Sequence, residues 1–165
     1  MNIGRVIKHL STGRWAVRGK FPPASMRAIE AAIEDSEKKH RGEIRFAVEA
    51  GLNPAQVWND MPGRARAVDV FSHLRIWDTE ENTGVLIYLL LADHDIEIIA
   101  DRGINKAAGT AVWEKICHDM EEKFRAGRFE DGVITGIAEI TEVLAQHFPW
   151  RESDENELPN KPVVL

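Results

Sequence analysis

The sequence predicts an α/β fold in which a small mixed β-sheet, containing a β-hairpin, lies between helices as a three-layer sandwich. Residues 84–92 would give a strand that is apolar on both faces, a pattern typical of a buried central strand. Only Asp93, His94 and Asp95 separate this segment from a second apolar strand at 96–100, so the two strands must form an antiparallel hairpin. The predicted order is helix, strand, helix, strand, strand, helix, helix, which places helices on both faces of the sheet.

Residues 1–20 form a basic, amphipathic amino-terminal arm. Apolar residues recur at the spacing of one helical face in Ile3, Val6, Ile7 and Leu10. The same segment contains five basic residues and no acidic one: Arg5, Lys8, Arg14, Arg18 and Lys20. Two interpretations are open. The favoured one packs the apolar stripe on the domain with the charges facing its acidic body. The other places the arm on an anionic membrane surface with Trp15 at the interface.

Residues 21–148 form the α/β domain itself. After Pro22 and Pro23, Ser25 can cap a helix that reaches about His40. The alternation at 43–50 predicts the first strand, 51–61 a connection or short helical turn, and 62–76 a helix. Two helices separated by Gly127 complete the domain and reach about residue 148. Residues 149–165 are rich in acidic residues, Asn and Pro, so we expect an extended or disordered tail.

Composition and charge limit the classes of function. The chain has 165 residues and a net charge of −6, but residues 1–29 contain six basic and no acidic residues, so the remaining residues carry −12. An acidic body repels phosphate groups, which argues against nucleic-acid binding. Every apolar run is shorter than the roughly 20 residues of a membrane-spanning helix, and no secretory signal is evident. The expected location is the cytoplasm.

Several segments together resemble the TPM domain family. They are the Asn-Thr-Gly turn at 82–84 with the strand that follows it, the strand and Gly turn at 96–104, the strand Gly-Glu-Ile-Arg-Phe-Ala-Val-Glu at 42–49, and Phe-Arg-Ala-Gly-Arg-Phe at 124–129 with Gly132. The resemblance spans residues 25–148. It implies relatives that are often exported or membrane-tethered, of which some are acid phosphatases or calcium binders and many have no assigned activity.

The candidate site lies at the base of the predicted hairpin. In an antiparallel hairpin the start of one strand lies beside the end of its partner, so Glu81 and Asn82 should approach Asp101 and Arg102. Glu81, Asn82 and Asp101 offer the oxygen ligands that Ca²⁺ or Mg²⁺ prefers, while Arg102 and Asn82 could bind a phosphate group. The alternative is that these residues form turn contacts and surface ion pairs. Asp93 and Asp95, at the opposite end, are interpreted as turn formers.

Two functions remain in competition. The favoured hypothesis is a non-catalytic TPM-like interaction module that serves an unknown protein partner in a membrane- or envelope-associated complex. Its contact surface would be the sheet edge, the arm or the tail. The alternative is a Ca²⁺- or Mg²⁺-dependent phosphoester hydrolase of the acid phosphatase type. The sequence has no Gly-x-Ser-x-Gly, P-loop or HExxH motif, and no organic cofactor is expected.

Overall fold

The computed structural model describes residues 3–152 and 155–165, so Met1, Asn2, Ser153 and Asp154 of the predicted arm and tail lie outside the described residues. The described part of the chain forms eight helices and four strands. In chain order they are α1 (Ile3–Ser11), α2 (Arg14–Lys20), α3 (Pro23–Glu37), β1 (Glu43–Glu49), α4 (Pro54–Trp58), α5 (Gly63–His73), β2 (Gly84–Leu90), β3 (Asp95–Ala100), α6 (Arg102–Ala108), α7 (Ala111–Arg125), α8 (Phe129–His147) and β4 (Val163–Val164).

The sheet is mixed and has the strand order β3-β2-β1-β4. β1 pairs in parallel with β2 from Glu43 opposite Gly84 to Glu49 opposite Leu90. β2 and β3 form the predicted antiparallel hairpin, in which Val85 lies opposite Ala100. Every residue of β1 and β2 is buried, as expected for strands with a neighbour on each side and helices above and below. The predicted mixed sheet and its hairpin are confirmed.

Helices cover both faces of the sheet and create two apolar clusters. Ile44, Phe46 and Val48 of β1 point into the larger cluster, which helices α3, α7 and α8 complete. The opposite face of the sheet supports a smaller cluster beneath α4 and α5, which includes Ala47, Tyr88, Val57 and Phe71. Because adjacent strand residues point to opposite faces, one strand supplies both clusters. This arrangement is the predicted three-layer α/β sandwich.

Helix ends differ in places from the sequence-based expectation. Helix α3 begins at Pro23 with Pro22 as its N-cap, so Ser25 lies buried within the first turns and does not cap the helix. Proline suits this position because its fixed backbone angle is already helical and the first amide needs no partner. Helices α2 and α6 were not predicted. Both have only 7 residues, too few for a clear apolar period.

Residues 155–165 pack against the sheet and end in an extended strand, so of the predicted extended or disordered tail only the disordered alternative is wrong for these residues. β4 pairs in parallel with β1, with Ala47 opposite Val163, and the amide of Leu165 donates to the carbonyl of Val48. Leu158 is buried in the smaller apolar cluster. The Glu43 carboxylate accepts hydrogen bonds from the amides of Glu157 and Leu158. The segment is therefore ordered with few apolar residues, because backbone pairing with β1 and hydrogen bonds to the buried carboxylate of Glu43 hold it in place.

Among the described residues, no helix combines the length and apolar character that crossing a membrane requires.

Candidate functional site

The base of the β2–β3 hairpin brings the two predicted segments together. The amide of Asp101 donates to the carbonyl of Gly84 at 2.9 Å, and the amide of Gly103 donates to the carbonyl of Asn82 at 3.1 Å. Asn82 has a φ of 55°, a left-handed conformation that Asn adopts more readily than most residues. A Cβ atom at Gly103 would lie 2.6 Å from the carbonyl oxygen of Glu81. Glycine is therefore what lets α6 begin directly against this turn.

The predicted site residues nevertheless have different environments. Both carboxylate oxygens of Glu81 accept hydrogen bonds from Arg41 Nη1. Asp101 is the N-cap of α6, and its Oδ1 accepts from the amide of Arg102 at 2.7 Å. The side chains of Asn82 and Arg102 are exposed. The hairpin thus gathers the four residues, but an arginine that sequence reasoning did not include occupies the carboxylate of Glu81.

The fit of this site to a divalent cation is incomplete. The described residues contain no group of three His, Cys, Asp or Glu side chains that could hold a metal ion. Asp101 is only 8% exposed, and its Oδ2 is buried without a hydrogen-bond partner in the described chain. A buried unpaired carboxylate oxygen is costly and calls for a ligand or a proton. Asp101 therefore retains an unused acceptor, whereas the carboxylate of Glu81 is paired with Arg41.

A second charged cluster lies within the smaller apolar cluster and holds β1, β2 and α5 together. Glu49 accepts hydrogen bonds from Tyr88 Oη at 2.6 Å and from Arg66 Nε and Nη2 at 2.8 and 3.1 Å. Burial, followed by the hydrogen bond to Glu49, raises the pKa of Tyr88 above its ordinary value. Three donors, one from the buried Tyr88 and two from the half-buried Arg66, thus satisfy this carboxylate, which makes the cluster structural.

The amino-terminal arm docks on the domain through a third cluster, which is centred on Asp93. Arg5 donates to Asp93 Oδ2 from Nε at 3.1 Å and from Nη2 at 2.7 Å. The amide of Leu52 donates to His9 Nδ1 at 2.9 Å, so Nε2 carries the ring proton and donates to Asp93 Oδ1 at 3.0 Å. Burial opposes ionisation of Asp93, but the bonds from Arg5 and His9 prevail and lower its pKa. Asp93 therefore anchors α1 as well as belonging to the turn.

Sequence reasoning missed this anchor. The available signal was the spacing of Arg5 and His9, which are four residues apart and lie on the helical face opposite Ile3, Ile7 and Leu10. Nothing in the sequence identified Asp93 as their partner, since the hairpin turn and α1 lie far apart along the chain.

As a result of this docking, the apolar stripe of α1 faces away from the domain. Ile3, Ile7 and Leu10 are 63%, 62% and 64% exposed, and Trp15 of α2 is 73% exposed. Only Val6 of the predicted stripe packs against the smaller apolar cluster. The favoured expectation that the stripe packs on the domain is therefore wrong. The ion pairs and hydrogen bonds of Arg5 and His9 fix the helix by its polar face and turn the apolar face outward.

The two helices of the arm also carry exposed basic side chains. Lys8, Arg14 and Arg18 are exposed, and within the described residues none of them has an ion-pair partner. An exposed face of this composition is attractive to a surface that is both apolar and negatively charged. We refer to the exposed residues Ile3, Ile7 and Leu10 as the apolar stripe.

Comparisons with known proteins agree with the resemblance seen in the sequence. The profile of the TPM domain matches residues 18–143. The NMR structure of the BA42 protein from the psychrophilic bacterium Bizionia argentinensis is similar, with 33% identity, a TM-score of 0.77, and coverage of 86% of this chain and 93% of that chain. The solution structure of the N-terminal domain of a P. gingivalis protein shares the fold at 17% identity and a TM-score of 0.63, covering 81% and 84%. No curated protein matches.

Proposed function

The chain belongs to the TPM domain family, and we propose that it is a non-catalytic interaction module that docks on a membrane or on a membrane-associated complex through its amino-terminal arm. The observation that carries the proposal is the outward-facing apolar stripe. Three apolar side chains on one helical face are more than 60% exposed, and their helix is fixed to the domain from its opposite side. Such a helix presents its apolar face without unfolding or rotating.

The exposed basic charges of the arm favour an anionic surface as the partner. Near such a surface each basic side chain contributes about 1 kcal/mol, so Lys8, Arg14 and Arg18 together contribute roughly 3 kcal/mol. Insertion of the apolar stripe adds about 0.8 kcal/mol for each buried methylene group. The net charge of −12 on the rest of the chain opposes binding, so we expect contact through the arm alone and strong dependence on salt.

Vesicle co-sedimentation of the full chain tests this proposal. We expect binding to vesicles of phosphatidylglycerol and phosphatidylcholine at low salt, and little binding to phosphatidylcholine alone. Ile7→Gln with Leu10→Gln should abolish binding, because both side chains belong to the stripe and touch little else. Val68→Gln is the matched control, since Val68 is 47% exposed on α5 and lies outside the arm.

Full-length variants are preferable to removal of residues 1–20, because His9 and Val17 are buried in the domain. Retention of vesicle binding by the Ile7→Gln, Leu10→Gln protein would contradict the proposal, as would equal loss in the Val68→Gln control. Circular dichroism of each variant establishes that the fold is intact.

A second candidate function, a Ca²⁺- or Mg²⁺-dependent phosphoester hydrolase, is favoured by one observation. Asp101 Oδ2 is buried and has no hydrogen-bond partner in the described chain, and the next residue, Arg102, is exposed. Asp101 could hold the cation and Arg102 a phosphate group. The engagement of Glu81 by Arg41 leaves this set smaller than the sequence suggested.

Titration with Ca²⁺ and Mg²⁺, followed by residue-resolved NMR, tests the second candidate. Binding should shift the amides of Asn82 and Gly103, and Asp101→Asn should remove those shifts. Shifts at Asp93 and Asp95 alone, or none at millimolar ion, would count against the site. Hydrolysis of a phosphoester that depends on Asp101 would contradict the non-catalytic proposal.

A further inference from the structure

A cavity of about 690 Å³ lies beside the arm, between α2, the end of α7 and the start of α8. Its volume is within the range of roughly 300 to 1,000 Å³ that small-molecule sites occupy. Leu89, Leu91 and Ala92 of the β2 strand and its following turn contribute buried apolar surface to the lining. The cavity therefore reaches from solvent to the larger apolar cluster.

Aromatic side chains form one wall of the cavity. Phe124 and Phe129 both line it, and their rings are stacked with centroids 5.2 Å apart. Trp15 and Ala16 of α2 line the cavity as well. Most of the lining is thus apolar, and its aromatic pair is held by mutual stacking and by contact with the core.

Positive charge predominates among the polar residues of the lining. Lys8 and Lys20 are exposed and lack ion-pair partners in the described residues, and Lys20 Nζ lies 4.7 Å from the centroid of the Phe129 ring. Arg125 also lines the cavity, where it pairs with Glu121 at 2.8 Å. The two lysines therefore leave an uncompensated positive charge beside an apolar space.

We propose that this cavity binds a single-chain anionic amphiphile of the fatty-acid type. The acyl chain would contact Leu91, Phe124 and Phe129, and the carboxylate would face Lys8 and Lys20. An uncharged apolar ligand would leave the two ammonium groups unused, and a compact anion would leave the apolar lining in contact with water. This proposal goes beyond docking of the arm, because the cavity is formed by a different set of side chains from Ile3, Ile7 and Leu10.

Isothermal calorimetry and amide NMR with dodecanoate, below its micelle concentration, test the proposal. We expect saturable binding with shifts at Gly19, Leu91 and Phe129. Dodecyltrimethylammonium has the same chain length but the opposite charge, and it should bind about tenfold more weakly or worse. Lys8→Gln with Lys20→Gln should weaken dodecanoate by about tenfold and remove its advantage over the cationic amphiphile.

Gly19→Leu provides a steric test. Gly19 lines the cavity, and no atom lies within 4 Å of a Cβ placed there, so a larger side chain fits the fold but fills the space that the ligand needs. This variant should weaken dodecanoate by at least about tenfold. Ile7→Gln with Leu10→Gln is the control and should bind dodecanoate as the unmodified chain does. Undiminished binding by Gly19→Leu, equal affinity for both amphiphiles, or shifts confined to the apolar stripe would each overturn the proposal.

Discussion

The burial of His40 makes a pH-dependent loss of stability predictable. His40 is fully buried, and Gly42 donates its amide hydrogen to Nδ1 at 3.2 Å. The ring proton therefore lies on Nε2, which donates to Ser36 Oγ at 2.9 Å. Burial lowers the pKa of His40 from 6.5 to about 4, and the positive charge of Lys39 contributes in the same direction. The folded protein thus keeps the imidazole of His40 neutral at pH 7.

The magnitude follows from the difference between the two states. In the unfolded chain His40 takes up a proton below about pH 6.5, whereas in the folded chain it does so only near pH 4. Between these values the unfolded state binds more protons, so stability falls as the pH falls. The full difference corresponds to about 3 kcal/mol, of which about 2 kcal/mol is lost between pH 7 and pH 5.

Urea unfolding of the unmodified chain and of His40→Gln at both pH values measures this effect. His40→Gln should be less stable at pH 7, because a packed imidazole is lost, but its stability should fall about 2 kcal/mol less on acidification to pH 5. His73→Gln is the control, since His73 is exposed at the end of α5 and the described residues give it no ion-pair partner. Parallel pH dependences for the unmodified chain and His40→Gln would refute the reasoning.

Three further predictions concern the supports of the sheet. Gly84→Ala should lower the free energy of unfolding by about 3 kcal/mol, because the new methyl group would overlap the backbone carbonyl of Ile76. Gly19→Ala is the control, because its methyl group would lie in open space, and thermal unfolding compares the two variants. Tyr88→Phe should lower the free energy of unfolding, measured with urea, by about 2 kcal/mol, because it removes a buried hydrogen bond to Glu49. Unchanged stability would contradict this prediction. Glu43→Gln should accelerate hydrogen exchange at the tail amides bound to that carboxylate; unaltered exchange would show that pairing with β1 alone holds the tail.

Most of the sheet was predictable because its signals are local. The apolar run at 84–92 and the short turn that follows it determine burial and hairpin topology within a short segment. β4 could not be predicted in this way. It is only two residues long, and its pairing with β1 depends on a chain reversal that begins after α8 and on a Glu43 carboxylate more than one hundred residues earlier in the sequence.

The candidate site was predictable only in its backbone. Hairpin geometry correctly places Asn82 beside Gly103, since strand pairing alone requires it. The side-chain partners of these residues could not be predicted from hairpin geometry. Arg41 reaches Glu81 because the parallel pairing of β1 and β2 places residue 41 beside the start of β2, and no periodicity in the sequence encodes that parallel register.

The arm shows most clearly why an amphipathic pattern does not determine which face of a helix is buried. Full burial of Ile3, Ile7 and Leu10 would contribute roughly 1.5 to 3 kcal/mol each, more than an exposed ion pair usually does. Asp93 nevertheless fixes the opposite face, through two hydrogen bonds from Arg5 and one from the buried His9. Asp93→Ala should therefore release the arm and increase hydrogen exchange in α1, with Asp69→Ala on the exposed surface of α5 as control. If the arm instead remained docked, contacts other than the Asp93 cluster would have to orient it, and the outward display of the apolar stripe would need a different cause.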